Sequence, residues 1–215
     1  MSEQPPHTLL AIDDHPLFRK GVADLIDMED SFKLVGEAAS GQEGIKLARE
    51  LNPDIILLDI NMKGMDGLET LKAIKALGVD SRVLMLTVSD NEEDVISALR
   101  LGADGYLLKD MEPEDILSCL RQAAEGVIVI NQRLTQLLAH SLRKDKTVRG
   151  SVGYDDLTER EREILALIAS GMSNKLIAET LKISQGTVKV HVKHLLKKLG
   201  LHSRVEAAVW SLKQR

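Results

Sequence analysis

Cysteine and aromatic residues are scarce in this chain of 215 residues. Cys119 is the only cysteine, which excludes an internal disulfide framework and any metal site built from several cysteines, and favours a reducing compartment. Aromatic residues make up 2% of the sequence, which argues against a protein that stacks the bases of single-stranded nucleic acid on its rings. The remaining composition, with 44% hydrophobic and 28% charged residues, is that of a globular protein.

Long apolar runs are also missing. No stretch reaches the roughly 18 apolar residues that a membrane-spanning helix needs, and no signal-peptide core precedes the first strand-like segment. We therefore expect a soluble, cytoplasmic protein with no membrane partner. The length is typical of one large domain or two small ones.

Charge is divided unevenly along the chain. Residues 1–130 carry 25 Asp and Glu against 12 Lys and Arg, whereas residues 154–215 carry seven against eleven. This division predicts two modules with different partners. The basic module is the candidate for binding nucleic acid, with a solvated lysine-rich helix face as the alternative.

The first 125 residues alternate aliphatic runs with amphipathic segments. Strands are predicted at residues 8–12, 34–38, 55–58, 83–88 and 106–108. Helices are predicted at residues 16–27, 41–51, 68–77, 92–101 and 113–124. The run Ile55–Leu58 is aliphatic throughout, as in a strand buried on both faces. The alternation predicts an α/β fold with a doubly wound, five-stranded parallel sheet.

The rest of the chain is predicted to be helical, apart from a polar linker. An amphipathic helix is expected at residues 131–143, and residues 144–156 form the linker. Four helices follow, at residues 159–169, 174–181, 185–199 and 204–213. Thr158 with Glu161, and Ser203 with Glu206, are predicted capping boxes for the first and last of these. We assign residues 1–127 to the α/β module, 128–153 to the linker helix and linker, and 154–215 to the all-α module.

Polar side chains follow four of the five predicted strands. Asp13 and Asp14 follow the first strand, Asp59 the third, Thr87 the fourth and Lys109 the fifth. Ligands of doubly wound sheets bind beyond the carboxyl ends of the strands, so these groups converge if the first and third strands are neighbours. Clustered carboxylates favour a cation, and oxygen ligands suit Mg²⁺. A neighbouring hydroxyl and ammonium could then hold a phosphoryl group carried by Asp59. Taken singly, each residue has an ordinary alternative as a helix cap, a strand former or a solvated lysine.

The predicted helices 174–181 and 185–199 have helix-turn-helix spacing. The second of them carries an apolar stripe that must face a core, consisting of Val188, Val192, Leu195, Leu196 and Leu199. Val190 and Lys193 point the other way, with Lys189 on the flank. In a major groove, Val190 could meet a thymine methyl while the lysines reach base edges or phosphates. Further candidates for phosphate contacts are Lys175, Lys182, Lys197 and Lys198.

Residues 8–125 resemble the receiver domain of two-component response regulators. The matching residues are Asp13, Asp14, Asp59 within 57–62, Gly67, Thr87, and Lys109 after 102–108. The resemblance implies a flavodoxin-like fold in which a sensor histidine kinase phosphorylates Asp59. Lys63 and Asp110 depart from the family, because proline often stands at both positions. Val88 is bulkier than the residue that often follows the threonine, and is expected to narrow access to Asp59.

The receiver resemblance also implies roles for the residues around Asp59. The implied Mg²⁺ ligands are Asp13, Asp14, Asp59 and the backbone carbonyl of Asn61. Thr87 and Lys109 would bind the phosphoryl group. Tyr106 would be a switch residue whose rotamer follows Thr87, with an ordinary core tyrosine as the alternative.

Residues 157–212 resemble the LuxR-type DNA-binding domain of the NarL/FixJ family. The matching stretches are residues 157–161, 173–178 and 187–191, and the last of these adds Thr187 to the candidate DNA contacts. The resemblance implies a homodimer on DNA, paired through the last helix by Val205, Ala208, Val209 and Leu212. Packing of the same residues under Trp210 is the alternative. Residues 102–115, 187–198 and 203–210 resemble the nitrate/nitrite response regulators within this family.

Both resemblances together predict a transcription regulator that is not an enzyme. Its expected partners are a sensor histidine kinase and double-stranded DNA, with RNA polymerase as a further candidate. Phosphorylation of Asp59 is expected to relieve autoinhibition, because the acidic receiver covers part of the basic module. The alternatives are a family member that responds to another signal, a DNA-binding protein independent of phosphorylation, and an aspartyl-phosphate phosphatase. Such a phosphatase would need an acidic residue where Asn61 stands.

Overall fold

The computed structural model describes residues 5–88, 91–130, 135–136, 138–140 and 154–212. The strands of the first module are β1 His7–Ile12, β2 Phe32–Ala38, β3 Ile55–Asp59, β4 Arg82–Thr87 and β5 Gly105–Leu108. Its helices are α1 Pro16–Asp27, α2 Gly41–Leu51, α3 Gly67–Ala76, α4 Glu92–Leu101 and α5 Pro113–Glu125. The predicted alternation of strands and helices is confirmed, with bounds that differ by at most two residues.

The five strands form one parallel sheet in the order β2-β1-β3-β4-β5. Every residue of β3 is buried, because helices cover both faces of the sheet and leave its strands no contact with water. Two hydrophobic clusters fill the space between the sheet and the helices. Since β1 and β3 are neighbours, their carboxyl ends lie side by side at one edge.

The second module is helical. A short 3-10 helix, Tyr154–Asp156, precedes α6 Glu159–Ala169, α7 Asn174–Leu181, α8 Gln185–Leu199 and α9 Arg204–Leu212. Ile164, Ile168, Ile177, Val188 and Leu195 are fully buried in its core. The predicted apolar stripe of α8 therefore faces inward, since an amphipathic helix buries the face that carries its aliphatic side chains.

The two predicted capping boxes form differently. The one at α6 is complete, because Glu161 N donates to Thr158 Oγ1 at 3.3 Å and Thr158 N donates to Glu161 Oε2 at 2.8 Å. At α9, Glu206 N donates to Ser203 Oγ, but Glu206 Oε2 accepts from the backbone N–H of His202 at 2.6 Å instead of that of Ser203. The second prediction is therefore wrong in its reciprocal bond.

The predicted linker helix and linker lie mostly outside the described residues. Residues 135–136 and 138–140 are helical, as predicted for 131–143. Leu138 and Ala139 pack against the hydrophobic cluster between the sheet and helices α2–α4. No helix in the described part of the chain is both long and apolar enough to cross a membrane.

The two modules pack against each other through α4 and α9. Val205 and Val209 are 1% and 3% exposed, and both belong to the hydrophobic cluster of the first module. Arg100 Nε on α4 lies 3.4 Å from Glu206 Oε1 on α9, and the Glu206 side chain is 1% exposed. This contact fixes which face of the helical module the receiver-like module covers.

Candidate phosphoryl-acceptor site and nucleic-acid interface

Asp13, Asp59 and Lys109 meet at the carboxyl edge of the sheet, because their strands β1, β3 and β5 are parallel and end there. Lys109 Nζ lies 2.6 Å from Asp13 Oδ2 and 2.9 Å from Asp59 Oδ2. Both aspartate side chains are almost completely buried, and that of Lys109 is 8% exposed. The predicted convergence is confirmed for these three side chains.

Burial governs the protonation of Asp59. Loss of water around the side chain raises the pKa of Asp59, and the charge of Asp13 adds to the increase. The hydrogen bond and charge of Lys109, and the backbone N–H of Asn61, oppose it, but the pKa stays above its ordinary value. A carboxylate with a raised pKa is a stronger nucleophile once it has lost its proton.

The acidic cluster suits a divalent cation. Oxygens of Asp13, Asp14 and Asp59 and a ring nitrogen of His15 all lie within 4.8 Å of one another. Asp13 Oδ2, Asp14 Oδ1 and Asp59 Oδ2 are buried and accept no hydrogen bond of ordinary geometry from the described residues. Only the nitrogens of Lys109 and His15 approach them. Three carboxylates held together beside one buried ammonium leave an excess of negative charge, and carboxylate oxygens are the ligands that a hard cation takes.

Thr87 and Asn61 lie beside Asp59. Thr87 ends β4 and is buried, and Asn61 Nδ2 donates to its Oγ1 at 3.5 Å. Asn61 N donates to Asp59 Oδ1 at 3.3 Å. Tyr106 is 5% exposed on β5, in the same core as Val95 of α4. The structure thus places Thr87 at the site and Tyr106 in the core, and the switch role of Tyr106 stays a prediction.

Phe18 and Arg19, near the site, stand in no pattern of the sequence, whereas Gly67 is one of the residues that match the receiver domain. The ring of Phe18 lies 4.6 Å from Lys109 Nζ, a distance at which a cation is attracted to an aromatic face. Arg19 Nη1 donates to the carbonyl of Asp13 at 2.5 Å. Gly67 begins α3 so close to Asp59 that a Cβ atom would clash with the Asp59 carbonyl oxygen. Any residue with a side chain at position 67 would therefore push α3 away from Asp59.

Val88 is exposed to solvent. Its side chain is 76% exposed, directly after the buried Thr87. The expected narrowing of access to Asp59 stays a prediction. Lys63 and Asp110, which replace the family's prolines, are exposed, and no cis peptide bond occurs among the described residues.

Helix α8 presents the predicted basic face to solvent. Val190 is 52% exposed, and the other exposed members of this face are Lys189, Lys193, His194 and Lys197. Thr187 lies in the first turn, where its N–H donates to the cap residue Ser184. An exposed valine among lysines is expected of a surface that meets the methyl groups and phosphates of DNA.

Not every predicted phosphate contact lies free on this surface. Lys175 and Lys182 are exposed at the two ends of α7. Lys198 Nζ instead lies 3.0 Å from Glu161 Oε2, where it helps to hold α8 against α6. Most residues expected to pair two copies are not accessible in this structure. Val205, Ala208 and Val209 are buried, and of these four residues only Leu212, which is 55% exposed, faces solvent.

The first module covers one edge of the basic face. Lys189 Nζ on α8 lies 2.5 Å from Asp80 Oδ1 in the loop before β4. The opposite charges of the two modules predicted such a contact, but nothing in the sequence singled out Asp80. The structure therefore shows a predicted DNA-contacting lysine paired with the acidic module.

Comparisons with known proteins identify both modules. Residues 9–121 match the response regulator receiver domain, and residues 155–211 match bacterial regulatory proteins of the luxR family. The chain is 55% identical over 215 residues to the nitrate/nitrite response regulator protein NarL of Escherichia coli K12, covering 100% of this chain and 99% of that protein. It is 46% identical over 206 residues to a nitrate/nitrite response regulator protein homolog of Haemophilus influenzae, covering 96% of each.

A solved structure spans both modules as well. The crystal structure of the response regulator ChrA, from a heme-sensing two-component system, is 31% identical with a TM-score of 0.53 and covers 99% of both chains. The receiver module and the helix-turn-helix module therefore occur together, in this order, in relatives that are transcription regulators. The chain belongs to the two-component response regulators that join a receiver domain to a LuxR-type DNA-binding domain.

Proposed function

We propose that this chain regulates transcription of nitrate- and nitrite-responsive genes, and that phosphorylation of Asp59 by a sensor histidine kinase releases its DNA-binding domain. The relatives named for nitrate and nitrite support the signal, because they match both domains at 55% and 46% identity. The kinase senses the signal, and the protein acts in the cytoplasm on double-stranded DNA. RNA polymerase is a further proposed partner.

The proposed switch rests on the contacts between the two domains. Lys189, on the helix expected to enter the major groove, is paired with Asp80 of the receiver, while α9 is packed on α4. A receiver in this position obstructs the approach of DNA to the N-terminal part of α8. We assign this arrangement to the unphosphorylated, autoinhibited protein.

The chain's own residues provide the acceptor chemistry. A carboxylate oxygen of Asp59 attacks phosphorus and forms an O–P bond, while the bond from phosphorus to the kinase's histidine nitrogen breaks and leaves its electron pair on that nitrogen. Lys109 and Thr87 are the proposed ligands of the transferred oxygens. When bound, Mg²⁺ supplies positive charge beside those oxygens, and its proposed ligands are Asp13, Asp14, Asp59 and the backbone carbonyl of Asn61. The chain is proposed not to turn over a substrate, because Asn61 stands where an acid/base carboxylate would be needed.

The coupling to DNA runs through the interface. Phosphorylation changes the charge around Thr87, and the next helix, α4, carries the Arg100 contact to Glu206. A shift of α4 weakens that contact and frees α9. Val205, Ala208, Val209 and Leu212 are then available to pair two copies on DNA.

We expect phosphorylated protein to bind promoter fragments of nitrate-respiration genes at least tenfold more tightly than unphosphorylated protein, a change of about 1.4 kcal/mol. Gel-shift titrations at one fixed salt concentration, with and without acetyl phosphate and Mg²⁺, measure this. Asp59→Asn is the matched control and should show no response. An equal response on unrelated DNA would reject the nitrate assignment, and no response on any DNA would support phosphorylation-independent binding.

Asp80→Lys is expected to raise the DNA affinity of unphosphorylated protein by up to about fivefold. The change replaces an attraction between Lys189 and Asp80 with a repulsion, and the gain is small because exposed ion pairs contribute at most about 1 kcal/mol. Gel-shift titration without acetyl phosphate measures it. Asp24→Lys, an exposed position on α1, makes the same change in net charge and should bind like the wild type. Equal affinities of the two variants would contradict a role for the Asp80 contact.

A further inference from the structure

A cavity of about 570 Å³ lies between the two domains. The receiver contributes residues before and at the start of β4, among them Arg82, together with Asp104 before β5. The DNA-binding domain contributes Ser173, Lys175 and Arg204, from the N-terminal ends of α7 and α9. The cavity therefore exists only while the domains are packed together, so an inference from it rests on the closed state of the proposed function.

The acidic residues around the cavity already have partners. Asp80 pairs with Lys189 at 2.5 Å, and Asp104 Oδ2 lies 2.7 Å from Lys75 Nζ. Asp54 accepts hydrogen bonds from the backbone N–H and the hydroxyl of Thr8, both at 2.8 Å. Each of these three carboxylates is thus already paired with a lysine or with hydrogen-bond donors.

Three cations that line the cavity lack such a partner. Within the described part of the chain, no carboxylate oxygen lies within 4 Å of a charged nitrogen of Arg82, Lys175 or Arg204. Arg82 Nη1 and Arg204 Nε are buried and have no hydrogen-bond acceptor there. Buried guanidinium nitrogens without an acceptor are costly, and such groups in native proteins often face a water or an ion.

Arg204 approaches the N-terminal end of α7. Its Nη1 donates to Asn174 Oδ1 at 3.1 Å, and its Nη2 donates to the carbonyl of Met172. Burial lowers the pKa of Arg204 to about 10; the charge of Arg82 also lowers it, while Asp104 opposes the change. The two arginines are therefore close enough to repel each other.

Arg82 lies beside the same helix end. A Cβ atom placed on Gly126 would lie 2.9 Å from the Cβ of Ser173 and 3.1 Å from Arg82 Nη2, so Arg82 and the residue that caps α7 are neighbours. The N-terminus of a helix carries a partial positive charge and disfavours a nearby cation. Two guanidinium groups and a helix N-terminus thus converge from opposite domains. The charge of Asp104 acts on both arginines, but its Oδ2 is bound by Lys75 Nζ and the backbone N–H of Val83, and leaves the buried nitrogens of Arg82 and Arg204 without an acceptor among the described residues.

We propose that this cleft binds a small inorganic oxyanion of the phosphate type between Arg82 of the receiver and Arg204 of the DNA-binding domain. Guanidinium groups bind such oxygens in bidentate fashion, and helix N-termini bind them through backbone N–H groups. The bound anion joins the two domains and stabilises the closed state. Phosphate is therefore a second ligand, held without covalent chemistry and distinct from the phosphoryl group on Asp59.

Equilibrium dialysis of the unphosphorylated full-length protein against radiolabelled inorganic phosphate tests this site. EDTA is present to keep metal away from Asp59, and KCl holds the ionic strength constant. We expect saturable binding of one phosphate per chain. Arg82→Gln should weaken it about tenfold or more, as expected for loss of a charged hydrogen-bonding partner. Arg121→Gln, an exposed arginine on α5 outside the cleft, should leave it unchanged.

A second variant keeps the test informative if Arg82→Gln unfolds. Arg82→Lys retains the positive charge but not the paired N–H donors of the guanidinium group. Its affinity for phosphate should lie between that of the wild type and that of Arg82→Gln. Thermal unfolding in chloride checks that both variants are folded. Absence of saturable binding, or equal binding by wild type and folded Arg82 variants, would overturn the proposal. If acetyl phosphate still increases DNA binding in that case, the proposed function stands and only the cleft site is lost. If phosphate binds but Asp59 phosphorylation leaves DNA binding unchanged, the site stands and the proposed switch fails.

Discussion

Lys109→Ala is expected to slow phosphorylation of Asp59 by acetyl phosphate about 100-fold or more, the range seen when a buried group that stabilises developing charge is removed. The Lys109 ammonium lies 2.9 Å from Asp59 and 2.6 Å from Asp13. Without it, the two buried carboxylates repel each other and the pKa of Asp59 rises further, because Lys109 is the main group that lowers it. Mass spectrometry of the intact protein over time measures the rate.

Lys63→Ala is the matched control for this experiment. Lys63 lies at the same edge of the sheet, but its side chain is exposed and only its backbone N–H reaches the site, donating to Asp14 at 3.0 Å. The rate at which acetyl phosphate phosphorylates Lys63→Ala should stay within about twofold of the wild-type rate, as expected for a substitution at a surface position. A rate for Lys109→Ala that matches this control, in protein with unchanged circular dichroism, would exclude Lys109 from the chemistry.

Asp104→Asn is expected to lower the free energy of unfolding at neutral pH by about 2 kcal/mol, between the values for an exposed and a buried ion pair, because the side chains of Lys75 and Asp104 are 28% and 14% exposed. Asp104 Oδ2 lies 2.7 Å from Lys75 Nζ and accepts from the backbone N–H of Val83 at 2.9 Å. The substitution leaves Lys75 and Arg82 without this counter-charge. Urea unfolding measures the loss, and Asp110→Asn, at an exposed position, is the control.

The same substitution should change how stability depends on pH. Burial raises the pKa of Asp104, but the charges of Lys75 and Arg82 and the hydrogen bonds lower it below its ordinary value. A lowered pKa in the folded state gives stability that is present above the ordinary pKa of about 4 and is lost as the pH falls toward the folded pKa. The gap between wild type and Asp104→Asn should therefore narrow below about pH 4. A difference in the free energy of unfolding between wild type and Asp104→Asn that is small at neutral pH and does not vary with pH would contradict a stabilising role of the Asp104 carboxylate.

Local patterns predicted most of the fold. The aliphatic run in β3 indicates a strand buried on both faces, and Thr158 with Glu161 marks the start of α6 through bonds made within four residues. The placement of one polar group after each of four strands also predicted the phosphoryl-acceptor site, since parallel strands end at one edge. These features depend on residues close in sequence or on a rule of topology.

The contacts between the domains could not be predicted in the same way. Asp80 and Lys189 are over 100 residues apart, and both are exposed charged residues of a kind common on any surface. Glu206 was predicted to cap α9, which it does in part, but its buried contact with Arg100 depends on how the two domains pack. The position of His15 beside the three carboxylates could not be predicted either, because it follows from the turn after β1 and not from a repeated pattern.

The packing of α9 on α4 affects how sharply the protein responds to its signal. Val205 and Val209 cannot pack on the receiver and on a second copy at the same time. If two copies must both open before one pair forms on a promoter, the number of pairs at low signal rises with the square of the phosphorylated fraction. Halving the phosphorylated fraction would then cut promoter occupancy about fourfold, by mass action. The closed state would thus keep promoter occupancy low at background levels of kinase activity.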